Sequence, residues 1–433
     1  MKKIVCICIG LFMVAVPAYA SIVYNQKPVP KFFKQEQSLD SDFFSEHLWA
    51  QGERVIRFDD LFRFITFRER KSRDVLPDGS VPDSAFFENR LTTTIKTPAD
   101  VEKGNITTVP PPDATWTLFK AKSDGRSAGF FAQDSTGEKY LLKLDNQAYP
   151  EMNSSAEIIC ARLFYALGYN VPEYSIVYFT IDQLQIPDGI QYVDETGFKK
   201  PLTHEALRTI LRTSSLNQNR QYRASASKIV PGKIIGPMSF SGRRIHDPQD
   251  TILHEDRREL RGLRVFSSWL NHFDVRRGNT FDALVVNEKG WYIKHYLFDF
   301  GSCLGAFIGS GKTPEQGEEY IITPSAIMKS LLTLGFYKRP WVRHGVVYPQ
   351  TGYFTNEGFD PATWRPQIPN YAFQDMTVAD AQWAAALLKK ITDAMVIAAV
   401  DAGDITNEKA RQDLIQKLIE RRDIIINYWQ SKS

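Results

Sequence analysis

Three side chains, Asp274, Asn279 and Asp299, have types and spacings suited to handling a polyphosphate. The run His272-Phe273-Asp274-Val275-Arg276-Arg277-Gly278-Asn279 is followed, after a candidate hairpin, by Asp299-Phe300-Gly301. Phosphoryl transfer needs one carboxylate beside the attacking hydroxyl, with an amide and a second carboxylate holding metal ions against the triphosphate. Asp274 suits the base, and Asn279 and Asp299 suit the metal ligands. One tight loop carries the first two, and the hairpin can return the third to the same cleft. Arg276, on the same loop, offers a guanidinium that can grip phosphate oxygens in a bidentate way.

An upstream set completes the constellation. On a candidate strand over 139–145, alternation places Lys143 on the face opposite Tyr140, Leu142 and Leu144, where an ammonium can meet the α- and β-phosphates. Glu157, on the following candidate helix, can pair with it. The turn Ser123-Asp124-Gly125-Arg126-Ser127-Ala128-Gly129 can cover phosphates with backbone N–H groups, with Gly125 and Gly129 allowing close approach. Each piece also has a plainer reading. A strand lysine is commonly a solvated charge, and Asp-Gly is commonly an ordinary turn. Ser154-Ser155-Ala156-Glu157 reads as a capping box, in which Glu157 would serve only its own helix start. His272 reads as a packing residue. The order of the pieces carries more weight than any one of them.

Elements that position these residues follow from periodicity and punctuation. Gly129–Gln133 can pair with Lys139–Asp145 across Asp134-Ser135-Thr136-Gly137. A helix is expected over Ser154–Leu167, with Ser154 as N-cap and Gly168 past its end, then a strand over Tyr174–Ile181. A second helix is expected over Asp256–Leu270, with Leu260, Leu263, Phe266 and Trp269 on one face. Phe281–Val286 and Trp291–Phe298 flank the turn Asn287-Glu288-Lys289-Gly290. Thr377-x-x-Asp380 opens a helix expected to run through Val400, and Asn407 caps another with Leu414, Leu418, Ile425 and Trp429 along one stripe. Residues 21–112 are interrupted by prolines and read as an irregular arm ending at Pro110-Pro111-Pro112. Residues 302–375 are poorly periodic.

Composition bounds the partners. The 433 residues carry a formal charge of +3, with 43% hydrophobic and 24% charged residues, which excludes a disordered chain. So even a balance argues against nucleic acid as a partner. Seven histidines and four cysteines without a CxxC argue against a Cys/His zinc site. Met1-Lys2-Lys3, an apolar stretch over 4–17 and Ala18-Tyr19-Ala20 have the shape of a cleaved signal peptide over 1–20, so the protein is expected to be exported, periplasmic or secreted. Cleavage would take the formal charge from +3 to +1 and leave Cys160 and Cys303. No later segment is apolar for long enough to span a membrane.

The stretches DSAFFENR (83–90), KSDGRSAGF (122–130), YLLKLD (140–145), PEMNSSAEIICARLFYALGYNVPE (150–173), RRELRGLRVFSSWLNHFDVRRGNT (257–280) and HYLFDFGSCLG (295–305) resemble a group of exported bacterial proteins with an atypical kinase-like core. More remotely, the sequence is similar to HipA-like and secretory-pathway kinases. The resemblance implies an α+β, two-lobed protein-kinase-like fold, with a small β-rich N-lobe (113–240, with an insert from about 182) and a larger helical C-lobe (241–433). It implies ATP-dependent phosphotransfer with Mg²⁺ or Mn²⁺. Lys143, Glu157, Gly125 and Gly129 would bind the nucleotide, Asp274 as base and Arg276 on the transferring phosphate would be catalytic, and Asn279 and Asp299 would hold metal. The glycine-rich signature of ordinary protein kinases is missing, as is their A-P-E motif, so the acceptor (protein, lipid or small molecule) is not implied. Two other readings stay open: a non-catalytic kinase-fold scaffold of the ATP-poor periplasm, and transfer of AMP from the same site. Cys160 and Cys303 would approach each other in such a fold, as buried thiols or as a disulfide.

Overall fold

A computed structural model describes residues 69–121, 128–194, 197–244, 247–307, 309–337 and 348–432. The expected signal peptide, the first part of the arm and Gly125 lie outside the described residues. From residue 69 the chain lays an extended segment on the core and then forms two short helices, α1 (Arg90–Thr93) and α2 (Pro98–Lys103). The second opens on a capping box between Thr97 and Asp100, with Pro98 in the first turn, where its missing N–H costs nothing. This stretch packs into the core. Phe86, Phe87, Leu91, Ile95 and Val101 are buried in the largest hydrophobic cluster of the molecule.

Strands β1 (Trp116–Ala121), β2 (Gly129–Gln133) and β3 (Lys139–Leu144) follow, then helix α3 (Met152–Ala166) and β4 (Tyr174–Phe179). Next come β5 (Leu184–Gln185), the small pair β6 (Gln191–Val193) and β7 (Lys199–Pro201), helix α4 (His204–Leu211) and β8 (Tyr222–Lys228). The six-stranded sheet runs β4-β8-β3-β2-β1-β5, antiparallel except where β1 meets β5. One face of the sheet is apolar, with Trp116, Leu118, Phe130, Tyr140, Leu142 and Phe179, and Leu207 and Leu211 of α4 join the same cluster. The insert expected from residue 182 therefore supplies an inner strand. Its sequence, Tyr-Arg-Ala-Ser-Ala-Ser-Lys, lacks the β-branched and aromatic residues that announce a strand. The small side chains of Ala224 and Ala226 instead suit a strand packed on both edges.

The helical half begins after β9 (Lys233–Gly236) with α5 (Arg258–Leu270). Strands β10 (Thr280–Asn287) and β11 (Gly290–Leu297) form the expected hairpin in unbroken register, with β9 on the far edge of β10. The pair β12 (Ala306–Phe307) and β13 (Ser310–Gly311), helix α6 (Pro324–Leu332) and the turn α7 (Tyr371–Gln374) lead into α8 (Val378–Leu388), α9 (Asp393–Ala402) and α10 (Glu408–Gln430). The Thr377–Asp380 capping box is present, but the single helix expected through Val400 is two, because Thr392 caps α9 afresh. Asn407 caps α10 as expected. Gly262 lets α5 and α8 touch: a Cβ there would lie 2.6 Å from the Trp383 ring.

The candidate phosphoryl-transfer site

Lys143 sits at the centre of the sheet, paired with Gly129 on β2 and with Ser225 on β8. As expected from alternation, its strand neighbours Tyr140, Leu142 and Leu144 are buried on the other face. The Lys143 Nζ donates to Glu157 Oε1 at 2.6 Å and to Asp299 Oδ1 at 2.8 Å. The second oxygen of Glu157 accepts from the Phe300 backbone N–H at 3.1 Å. Both Glu157 oxygens thus face the site, and the capping-box reading fails. Helix α3 starts at Met152, two residues ahead of the expected cap, and Ser154 lies inside it. The Ser154 hydroxyl is held by the Asp145 carboxylate and by Arg223 Nε. Nearly every residue of α3 is buried, as fits a helix enclosed on all sides. Ile158, Ile159, Leu163 and Phe164 belong to the large helical cluster, so the helix carrying Glu157 is anchored in the helical half rather than in the sheet core.

The second half of the site grows from the end of α5. Asn271 closes that helix in the left-handed region (φ 46°), and its Oδ1 accepts from Trp364 Nε1 at 3.0 Å. His272 is buried against Phe164 and Phe300, and burial pushes its imidazole down to about 3, so it is a neutral packing group. Asp274 Oδ1 accepts from Arg276 Nε at 3.0 Å. The Asn279 Nδ2 donates to Asp274 Oδ2 at 2.9 Å and to the Asp274 carbonyl at 2.7 Å. Those bonds employ the amide's N–H groups and leave its carbonyl oxygen as the remaining function, a hard donor suited to a divalent cation. The hairpin β10–β11 starts next to Asn279 and returns to Phe298, whose N–H bonds the Asn279 carbonyl at 3.2 Å. That closure delivers Asp299 beside Asn279.

Asp299 takes a left-handed backbone (φ 62°), a conformation Asp tolerates better than most residues. Phe300 is fully buried between Phe164, Tyr174 and His272. Asn153 Nδ2 donates to the Gly301 carbonyl at 2.7 Å, and a Cβ on Gly301 would stand 3.3 Å from Glu157. The tripeptide is therefore clamped on both sides, with the Asp299 side chain left 40% exposed while Glu157 is 1% exposed. Asn153 and Tyr174, whose hydroxyl accepts from the Asp299 N–H at 3.4 Å, had no motif to announce them. Neither had Arg223, which ties β8 to Ser154, Ser155 and the Gly403 carbonyl.

The charges are unequal in character. Burial alone would lower the Lys143 ammonium, but the Asp299 and Glu157 carboxylates outweigh it and hold the proton more tightly than in water. Burial raises the Glu157 carboxyl. It also raises Asp274, with the Arg276 guanidinium opposing and Asp299 adding to the shift. Cys160 and Cys303 lie against each other behind this site as free, buried thiols, and burial together with the neighbouring Cys160 pushes Cys303 well up.

No group of three or more His, Cys, Asp or Glu side chains assembles into a cation site among the described residues. The donor set at the site is the Asp299 carboxylate and the Asn279 amide oxygen, with the Asp274 carboxylate held beside them by Arg276 and Asn279. Such a set fits a hard divalent ion that arrives with phosphate oxygens completing its shell, rather than a resident metal.

Strand lysine, helix glutamate, the Asp274–Asn279 loop and the Asp299 hairpin are brought to one place by a mixed α+β fold, a curled sheet followed by a helical half. No protein-family model matches the chain, and no curated protein matches it. Among solved structures it is similar to a Helicobacter pylori proinflammatory kinase, CtkA, at 12% identity and TM-score 0.36, over 75% of this chain and 99% of that one. It is also similar to hydra Fam20 with sugar, at 10% identity and TM-score 0.35, over 78% and 96% of the two chains. A Golgi casein kinase matches at 10% identity and TM-score 0.34, over 94% and 96%. Likeness that loose carries no functional conclusion.

Proposed function

We propose that the protein is a phosphotransferase that uses metal–ATP, acting after export on an acceptor of unidentified class. The observation that carries this reading is the Lys143 ammonium held between Glu157 and Asp299, beside a loop in which Arg276 and Asn279 orient the Asp274 carboxylate and the Asn279 amide oxygen is left to face a cation. Lys143 grips the α- and β-phosphates and is kept in place by Glu157. Gly129, directly across β2 from Lys143, lets the backbone approach the nucleotide. Asp274 takes the proton of the attacking hydroxyl, and its raised affinity for that proton suits a base. Arg276 orients Asp274 through Nε and brings positive charge to the transferring group. Asn279 and Asp299 would hold Mg²⁺ or Mn²⁺, which supplies neutralisation of the charge on the phosphate oxygens.

A nucleotide-binding titration in the presence of Mn²⁺ or Mg²⁺ tests the assignment. Wild type should bind ATP, Asp299→Ala should lose metal-dependent binding, and Asp274→Asn should keep binding but lose turnover by about 10²–10⁴-fold. Equal binding by Asp299→Ala and wild type would sink it. The mass of the product distinguishes the chemistry: a gain of about 80 Da is a phosphoryl group, and about 329 Da is an AMP group.

A further inference from the structure

Behind the Lys143–Glu157 pair, one buried side chain joins the sheet, the first turn of α3 and the corner between α9 and α10. Arg223 lies on the same face of the sheet as Lys143, because Ser225, two residues further along β8, is the strand partner of Lys143. It is 3% exposed, and all five N–H groups of its guanidinium are used. Nε donates to Ser154 Oγ at 2.9 Å, and Nη2 donates to Ser155 Oγ at 3.0 Å and to the Gly403 carbonyl at 2.6 Å. Nη1 donates to the Tyr178 hydroxyl at 3.2 Å and to the Asp404 carbonyl. Ser154 in turn gives its hydroxyl and its backbone N–H to Asp145, two residues past Lys143, and Ser155 gives its hydroxyl to the Gly403 carbonyl at 2.8 Å.

The partners explain why an arginine stands there. The carbonyls of Gly403 and Asp404 come just past the end of α9, where a helix leaves its carbonyls unpaired and its dipole favours a cation. A planar fork reaches those carbonyls and both serine hydroxyls together, which a lysine ammonium cannot do. Any shift of α3 against the corner would leave a buried donor or carbonyl without a partner. Ser154 precedes Glu157 by three residues, so fixing the first turn of α3 fixes the carboxylate on the next. The helix also meets the corner closely, since a Cβ on Gly403 would stand 2.7 Å from the Ile159 side chain.

We propose that Arg223 is a positioning residue for the Lys143–Glu157 pair, clasping α3 between the sheet and the α9–α10 corner so that Glu157 stands against Lys143 before any nucleotide arrives. This deepens the phosphotransferase reading, and only the nucleotide measurement below rests on that reading. Acetylation of the nucleotide-free mature chain with acetic anhydride, read at Lys143 by peptide mass spectrometry, tests it. Lys143 should acetylate more than about tenfold faster in Glu157→Gln than in wild type, because the ammonium loses a charge-assisted hydrogen bond. Arg223→Lys keeps a buried cation beside Asp145 but not the fork, and should speed the reaction to a similar degree. Gly403→Ala should speed it too, because its backbone (φ −76°) suits alanine while the new methyl wedges Ile159 off the corner. In the Glu157→Gln background, Arg223→Lys should change the rate by less than about twofold, since the clasp acts through Glu157. The proposal is overturned if Lys143 keeps its wild-type rate in Arg223→Lys and in Gly403→Ala. It is equally overturned if Arg223→Lys adds as much to Glu157→Gln as to wild type, which is the mark of a general loosening. Should circular dichroism show Arg223→Lys unfolded, Gly403→Ala decides alone. Affinity for ATP with Mn²⁺ should fall in Arg223→Lys; a wild type that binds no ATP sinks the phosphotransferase reading, while the acetylation rates still decide the role of Arg223.

Discussion

Lys143 and Asp274 divide the electrostatics of the site between them. Lys143 is a buried cation made permanent by two carboxylates, and its loss would leave Glu157 buried and uncompensated. Lys143→Ala should therefore cost about 3–5 kcal/mol of stability as well as nucleotide binding, measurable by urea denaturation. Asp274 is a buried acid whose proton affinity is raised by desolvation and restrained by Arg276. Because a base works deprotonated, turnover should fall as pH drops, with a midpoint above the ordinary Asp value of about 3.9. Arg276→Ala removes the restraining charge and should move that midpoint further up in a pH profile of kcat/KM. An unchanged midpoint would show that Arg276 does not set the Asp274 proton affinity.

At the scale of elements, α3 is the member on which the site depends. It presents Glu157 to Lys143, packs Phe164 on Phe300 and places Cys160 against Cys303. Phe300 is the peg that holds the Asp299 tripeptide on this helix. Phe300→Ala should cost about 3–5 kcal/mol in denaturant unfolding and should weaken metal–nucleotide binding, because Asp299 loses its left-handed anchor. The two thiols should be silent to a thiol reagent in the native protein and should both react once the mature chain is unfolded. A chain oxidised across the pair would show none. Helix periodicity, the Thr377–Asp380 capping box and the hairpin register were legible because each is a local pattern. The start of α3 was not, since Ser154 is drawn from a capping role by Asp145 and Arg223, whose strand lies far along the chain.

Across the whole molecule, buried charge stitches the early segment to the helical half. Arg261, wholly buried, reaches Asp256 and Asp380 at 3.2 Å each and the Arg70 carbonyl. Arg258 donates its backbone N–H to Asp74 and its side chain to Asp380. Beside them Glu259 is buried, with Arg257 Nη1 3.6 Å away, and its carboxyl is raised well above the usual range by burial and by the Asp74 charge. A carboxyl raised in the folded state favours folding below its unfolded pKa of about 4.3 and loses that contribution as pH rises through the folded value. Unfolding temperature should therefore decline with pH across that window in wild type. Glu259→Gln, which has no proton to lose, should flatten the decline. A Gln variant with the wild-type slope would show that Glu259 is already ionised in the fold.

The sequence by itself determined the order of chemical groups, the hairpin that returns Asp299, the face of β3 that holds Lys143 and the stripes of α5 and α10. All of these follow from side-chain alternation, helical period and turn residues acting within a few positions of one another. Only the tertiary structure decided that Glu157 serves Lys143 rather than its own helix, that β8 fills the middle of the sheet, and that Phe86 to Val101 enter the core. In each of these cases the partner is distant in sequence and the choice turns on burial. An unpaired Glu157 or an uncovered sheet edge costs more inside the fold than any local motif can repay.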